Sequence, residues 1–435
     1  MRSLVLSVFK VQGNACFKAM AFHAGCVIAI YLLLYRFGAV NTFPSNINLT
    51  FLDAEWYAYI KSNGYYYVEG GTSPMAFFPL FPFLWFVTGL TPVGISIVNC
   101  VIFYSGFYFL ALHFNFDFKT SLLFLSTPSL FFCFIPYSEA LFFFGASMLL
   151  VGLDKQQWKY IITGLIIAVL TRSVGMVFIG AIVFVYLVQL LQRTNEAPKY
   201  MRRMAVLCSV TIGATLLVFF VQYLYTDEWF VFFKVQNAWN RSLQLPTLPF
   251  TSVGRTRILW LDGLALLVCI MSFSLGLYIF CRVLVQKKVT FNPSMLFSIA
   301  YLAIMGLVSV FYSGIWWEEG GTSLMSTNRF VFATAFFVCF ANGLLSKYPK
   351  KMPTSFLFAG LVIMVFTWLM LGAYHTLPGQ PNYWVTLTYF VNMSAYVLAY
   401  TSLRKFPLLL APLYIINIFV MVILLNSHIH NFFVA

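Results

Sequence analysis

The sequence predicts an all-α integral membrane protein, and three observations carry that prediction. Of 435 residues, 61% are hydrophobic and only 9% charged, where a soluble domain carries about 25% charged residues. Apolar stretches near the roughly 20 residues that a membrane-crossing helix needs recur along the whole chain. The charged residues between those stretches sort by sign into alternate loops.

The candidate spans are about 20–39, 94–113, 120–135, 139–153, 159–172, 174–191, 204–224, 257–281, 294–312, 329–345, 354–373, 384–402 and 408–427, about 13 in all. The first has no small-residue cleavage site after it and reads as a retained helix rather than a signal peptide. Several are short and must be bent or shielded by protein. The stretch 77–90 is apolar but carries Pro79 and Pro82. It reads as a re-entrant or interface helix, because counting it as a span would put basic loops on both sides. No segment is long and polar enough for a separate soluble domain, so residues 1–435 read as one polytopic membrane domain.

With 77–90 left out, one side holds 18 of the 26 basic residues, among them Lys119, Lys155, Arg202, Arg203 and Lys350, and only the acids Asp117, Asp154 and Glu196. The positive-inside rule makes that side cytoplasmic, with the N-terminus. The net charge of +14 is thereby explained by topology, without nucleic acid. The other side holds the remaining 9 of 12 acids and the long loops, about 40–93, 225–256 and 313–328. Long, acidic, aromatic loops are where function concentrates, so the expected active face is periplasmic or lumenal. All 8 cysteines lie in apolar stretches or near the N-terminus, which argues against a disulfide framework.

The first outer loop reads FLDAEWYAYIKSNGYYYVEGGTSPMAFFPLFPFLW from Phe51. An amphipathic surface helix is expected from Asp53 to the stop at Asn63-Gly64. An ionised carboxylate there, Asp53 or its neighbour Glu55, could take a proton from a sugar hydroxyl. Trp56 and Tyr57 could stack on sugar faces. The plain alternative is an ordinary loop helix with solvated acids. Glu139, in Pro136-Tyr137-Ser138-Glu139, and Arg172, in Leu170-Thr171-Arg172, lie between apolar runs. Ionisable groups at membrane depth are costly and suggest function, the alternative being that they snorkel to water. An arginine near the outer surface could grip a phosphate with its planar fork. Arg329 is a second such candidate, and Lys234 and Arg241 around Gln236 and Trp239 form a third basic and aromatic cluster. A short echo, EGGTSPM at 69–75 and EGGTSLM at 319–325, has no matching flanks.

No nucleotide-binding glycine loop and no metal-site spacing is present, and His428-x-His430 has no third ligand nearby. No cofactor or metal is therefore expected. A lipid or polysaccharide transporter would place acids and bases in mid-helix, where this sequence has almost none. A multi-spanning glycan polymerase or ligase would favour a histidine in an outer loop, where only His375 stands.

At these residues the sequence resembles the GPI mannosyltransferase II (PIG-V-like) family of GT-C glycosyltransferases. Asp53, Trp56 or Tyr57, Ile60, Gly64 and Tyr65 fit that family's first motif. Ala76-Phe77-Phe78-Pro79-Leu80-Phe81-Pro82 fits the second without a mismatch, and Glu69 stands where the family often has an acid. Pro128, Ser129, Phe131 and Tyr137-Ser138-Glu139 resemble a further segment, as do Thr171-Arg172-Ser173 and Arg329-Phe330. Leu52 and Val174 stand where the family has Trp and Asn. The resemblance implies a GT-C-type bundle with juxtamembrane helices in the first outer loop, and Asp53 as catalytic base. Glu55, Trp56, Tyr57, Glu69, Glu139, Arg172, Trp239 and Arg329 would bind substrate. It further implies a polyprenyl- or dolichyl-phosphate mannose donor, a glycolipid or glycan acceptor, and room for a small membrane subunit.

Overall fold

The computed structural model describes residues 2–192, 194–239, 241–248, 250–252, 259–286, 291–313, 321–347, 375–377, 380–381, 410–432 and 434. Among them seven helices are long and apolar enough to cross a membrane, and an eighth crossing is made if one sharply bent pair counts as a span. The seven belong to α1 (Arg2–Arg36), α4 (Pro92–Phe114), α8 (Phe178–Gln192), α9 (Ala197–Thr226), α11 (Leu259–Gln286), α12 (Pro293–Phe311) and α15 (Leu410–Ile429). The predicted spans 354–373 and 384–402 lie outside the described residues, as do Glu318 and Glu319.

The first outer loop contains two short helices, α2 (Asp53–Asn63) and α3 (Leu80–Thr88). At 1.5 Å per residue the longer is only about 17 Å, too short to cross. Helix α2 ends where the sequence predicts. Gly64 takes φ +76°, and a Cβ there would sit 2.8 Å from the Tyr225 ring. Tyr57 of α2 packs edge-on against Phe77 and Phe81. Phe83, Phe86 and Val87 of α3 are each more than 60% exposed, an apolar stripe suited to lipid rather than water.

The predicted span 120–135 is not one helix. Helix α5 (Phe118–Leu125) stops where the Ser126 and Thr127 hydroxyls donate back to Leu123 O and Phe124 O. Pro128 then opens a 3-10 turn, Pro128–Phe134, and a 106° bend leads into α6 (Glu139–Lys155). Prolines at 128 and 136 have no N–H to continue an α-helical ladder. Eight residues at 1.5 Å and seven at 2.0 Å still cover about 26 Å. The chain thus returns from one end of the bundle to the other in two pieces. Pro128 to Cys133 are buried, and protein cover is what permits irregular backbone at membrane depth. The predicted span 329–345 is likewise broken, into α13 (Thr327–Phe332) and α14 (Ala335–Lys347).

Helices α6 and α7 (Trp158–Thr171) form a close hairpin. A Cβ on Gly164 would lie 2.5 Å from Gly145 O and from Leu149 N, so the two backbones touch. This contact puts the start of α6, Glu139, beside the end of α7, Arg172. At the opposite end Asp154 accepts from the Ser294 N–H (2.9 Å) and hydroxyl (2.7 Å) and pairs with His113 Nε2 (2.9 Å). Between the two ends, Phe142, Phe178, Phe297, Tyr301 and Phe336 interlock as an aromatic core.

The other long loops meet above that core. Helix α10 (Val231–Ala238) leads into β1 (Ser242–Leu243), which pairs antiparallel with β2 (Tyr312–Ser313). Thr251 bridges to Ser323, and Thr322 N–H donates to Thr247 O at 3.0 Å. The two EGGTS copies have different surroundings. Ser323 lies in this strand-like pairing, whereas Ser73 precedes a 3-10 turn, Pro74–Ala76.

Candidate active site

Asp53 is the first residue of α2. A carboxylate there is favoured by the unpaired N–H groups and dipole of the helix N-terminus. Leu52 before it holds φ +57° and ψ −129°, a conformation that costs a non-glycine residue about 1–3 kcal/mol. The strain is held from both sides. Asp53 N–H donates to Tyr137 Oη at 3.3 Å, and Asp53 Oδ2 pairs with Arg329 Nη1 at 2.5 Å.

Arg329 in turn donates through Nε to Glu139 Oε1, and Arg172 Nη1 pairs with the same oxygen. The result is a chain of four charges, Asp53, Arg329, Glu139 and Arg172, that sums to zero. Buried charges persist only when paired in this way. Aromatic faces complete the setting. The Arg329 guanidinium lies 4.5 Å from the Tyr137 ring centre, and that of Arg172 lies 5.1 Å from Phe330, both within cation–π reach. Glu139 is 1% exposed and the two arginines under 10%, whereas the Asp53 side chain is 28% exposed. Asp53 is therefore the member of the network that an incoming group can touch.

Helical periodicity explains which predicted residues join the network. Asp53 and Tyr57 are four apart and share a face. Tyr57 is buried and donates to Ser138 Oγ at 2.8 Å, next to Glu139, and burial raises its phenol pKa above the usual value. Glu55 is exposed because it lies about 200° around the helix from Asp53. Glu69 is exposed too, and neither reaches the network. Trp56 meets Trp239 edge-on at 5.8 Å and stacks on Phe77 at 6.0 Å. Those three rings form an aromatic wall beside Asp53.

A cavity of about 210 Å³ adjoins the network, with Ser173 and Phe330, the residues after Arg172 and Arg329, in its lining. Its wall is mostly apolar and is shared among the 3-10 turn Ser173–Val177, α10, α12 and the loops beside them. Trp239, Gln236 and Arg241 are also in the lining. Arg172 and Arg329 lie behind this surface, engaged with Glu139 and Asp53. Among the described residues lining the cavity, Arg241 is the cation. Its N–H donates to Gln236 O at 3.0 Å, and burial lowers its pKa, opposed by the charge of Asp53. In the sequence Arg241 was indistinguishable from Lys234, which instead pairs with Glu228 at 2.5 Å on the exposed surface. The sign of the loop charge was the only available signal.

His428 is buried with its ring 5.4 Å from that of Tyr137, while His430 bonds to Asn426 O, so the His-x-His pair is split. Among the described residues no three His, Cys, Asp or Glu side chains are grouped to hold a metal ion.

No family model matches the chain, and no curated protein matches it. The resemblance read at Asp53, 76–82, 128–139, 171–173 and 329–330 stands on those motifs alone. Among solved structures, the crystal structure of ArnT from Cupriavidus metallidurans bound to undecaprenyl phosphate is similar over 94% of this chain and 77% of that one. The identity is 12% and the TM-score 0.48.

Proposed function

We propose that the chain is a GT-C-type membrane glycosyltransferase that uses a lipid-phosphate sugar. It moves a hexose, mannose by the motif resemblance, from a polyprenyl or dolichyl phosphate to a lipid-linked or glycan acceptor on the non-cytoplasmic side. The observation that carries this reading is Asp53. It is a partly exposed carboxylate, fixed by Arg329 and Tyr137, near a mostly apolar cavity whose described lining includes Arg241 and Trp239.

The chemistry is a single displacement. The acceptor hydroxyl gives its proton to an Asp53 carboxylate oxygen as its own oxygen bonds to C1 of the sugar. The bond from C1 to the phosphate oxygen breaks, and the lipid phosphate leaves with the electron pair. Attack opposite the leaving group inverts C1, through a transition state with oxocarbenium character as in glycoside hydrolysis. Arg241 would meet the charge growing on the leaving phosphate, the role fixed donors play at developing anions. The hydrocarbon of the lipid would follow the apolar wall, and Trp56 and Trp239 would face the sugar. Glu139 and Arg172 would hold Arg329 in place. Because an arginine can stabilise the leaving group, the reading requires no metal.

The test is to supply membranes containing the protein with radiolabelled polyprenyl-phosphate mannose and identify the labelled product. Wild type is expected to label a lipid or glycan, and Asp53→Asn to lose at least about 100-fold in rate, the scale of a lost general base. Full turnover by Asp53→Asn would remove its assigned role. No transfer from any lipid-phosphate hexose would remove the reaction itself.

A further inference from the structure

We infer that Asp262 is a positioning residue for Arg329, acting through Asn328. This rests on the transferase reading above. Asp262 lies in the first turn of α11, fully buried. Its Oδ1 accepts from both the backbone N–H of Asn328 (2.8 Å) and the Asn328 side-chain amide (2.7 Å). Its Oδ2 accepts from the Ser252 hydroxyl at 2.7 Å. The other end of the Asn328 side chain, Oδ1, accepts from the Ser129 hydroxyl at 2.9 Å. All four residues are fully buried.

Asn328 is thus gripped at its backbone and at both ends of its side chain, and the next residue is Arg329. Helix α13 has only 6 residues and follows Ser326, which holds φ +68°. So short a helix has no stability of its own, so its direction is set by what grips its first turn. Arg329 must reach Asp53 on α2 and Glu139 on α6 with one planar guanidinium, which tolerates little rotation. Asp262 from α11, Ser252 from the preceding loop and Ser129 from the 3-10 turn supply that constraint. None of the three touches Asp53, Glu139 or Arg172 among the bonds described above. Burying a carboxylate is costly unless its hydrogen bonds are made. Here those bonds go to the residue before Arg329.

The inference separates charge from geometry. In Asp262→Asn, Oδ1 can still accept both bonds from Asn328, and the amide can donate to a reoriented Ser252 hydroxyl. In Asp262→Ala the grip is gone. The experiment measures kcat, donor KM and melting temperature for purified full-length protein carrying Asp262→Ala or Asp262→Asn, with and without Arg329→Lys. The Ala variant is expected to lower kcat by about 10–100-fold, the cost of misplacing a reacting group by roughly 1 Å, with donor KM changed less than about threefold. The Asn variant should restore kcat to within about threefold of wild type. In the Arg329→Lys background the Ala change should add little further loss, because coupled residues are not additive.

Unchanged kcat in Asp262→Ala, or an equal loss with and without Arg329→Lys, overturns the inference. If Asp262→Ala does not fold, Ser252→Ala and Ser129→Ala each remove one bond of the grip. Each is expected to lower kcat at least about 2–10-fold, the scale of one hydrogen bond, and wild-type rates in both would overturn it. Failure of the transferase reading is told apart by wild type, which would then transfer no hexose from any lipid phosphate. In that case the melting temperatures still decide, since Asp262→Ala and Arg329→Lys should lower them by less together than the sum of each alone. Additive shifts would reject the coupling.

Discussion

At the scale of single residues, the site divides between a carboxylate that meets solvent and charges that hold it. Glu55 is Asp53's nearest rival in sequence, yet it faces outward from α2. Glu55→Gln is therefore expected to leave the transfer rate within about twofold of wild type, measured beside Asp53→Asn in the same membranes. Glu139 is different, because it is the shared partner of two buried arginines. Glu139→Gln should destabilise the protein by about 3–5 kcal/mol, the cost of leaving a buried charge unpaired. Thermal unfolding in detergent measures this, and an unchanged midpoint would contradict the buried network. Arg241 makes a third case. Arg241→Gln should lower kcat/KM for the lipid-phosphate donor about 10–100-fold, the worth of a hydrogen bond to a charged group. Its melting temperature should stay that of wild type.

Secondary-structure elements explain why these residues meet. The α6–α7 hairpin closes on bare backbone at Gly145 and Gly164, and its open ends carry Glu139 and Arg172. A methyl group at Gly164 must push the helices apart. Gly164→Ala is thus expected to lower both melting temperature and turnover. Gly213→Ala on α9, where an added Cβ meets nothing within 4 Å, should be neutral or stabilising by up to about 1 kcal/mol. Equal behaviour of the two variants in a melting assay would refute the packing argument. The same scale shows how far periodicity reads. The stop of α2 at Gly64 and the non-spanning 77–90 segment were legible, because glycine and proline act locally. The break inside 120–135 was not placed, though Pro128 was visible. Apolar content alone cannot tell a straight helix from two buried pieces.

Across the whole molecule, loop charge predicts which ends share a side, and the contacts agree. Asp53, Glu139, Arg172 and Arg329 were all assigned to one face and meet there. His113, Asp154 and Ser294 belong to the other and meet at the opposite end. The proposed orientation puts the Asp53 end outside. With the exposed Cys281 replaced, a cysteine introduced at Glu69 should react with a membrane-impermeant maleimide in intact cells. One at Lys119 should react only after permeabilisation. The reverse pattern would invert the protein and move the chemistry to the cytoplasm.

The sequence by itself determined the membrane class, the helical character and the sorting of charge into alternate loops. Each of these follows from transfer free energies and backbone preferences that add up residue by residue. Only the tertiary structure decided which charges are partners. Asp53 and Arg329 are 276 positions apart, and Glu139 and Arg329 190 apart. Arg241 reached the cavity wall while Lys234 stayed on the surface, and Asp262 left the solvated acids to grip Asn328. Ion pairs and buried hydrogen bonds depend on distances of a few ångströms between distant segments, and those distances exist only once the helices have packed.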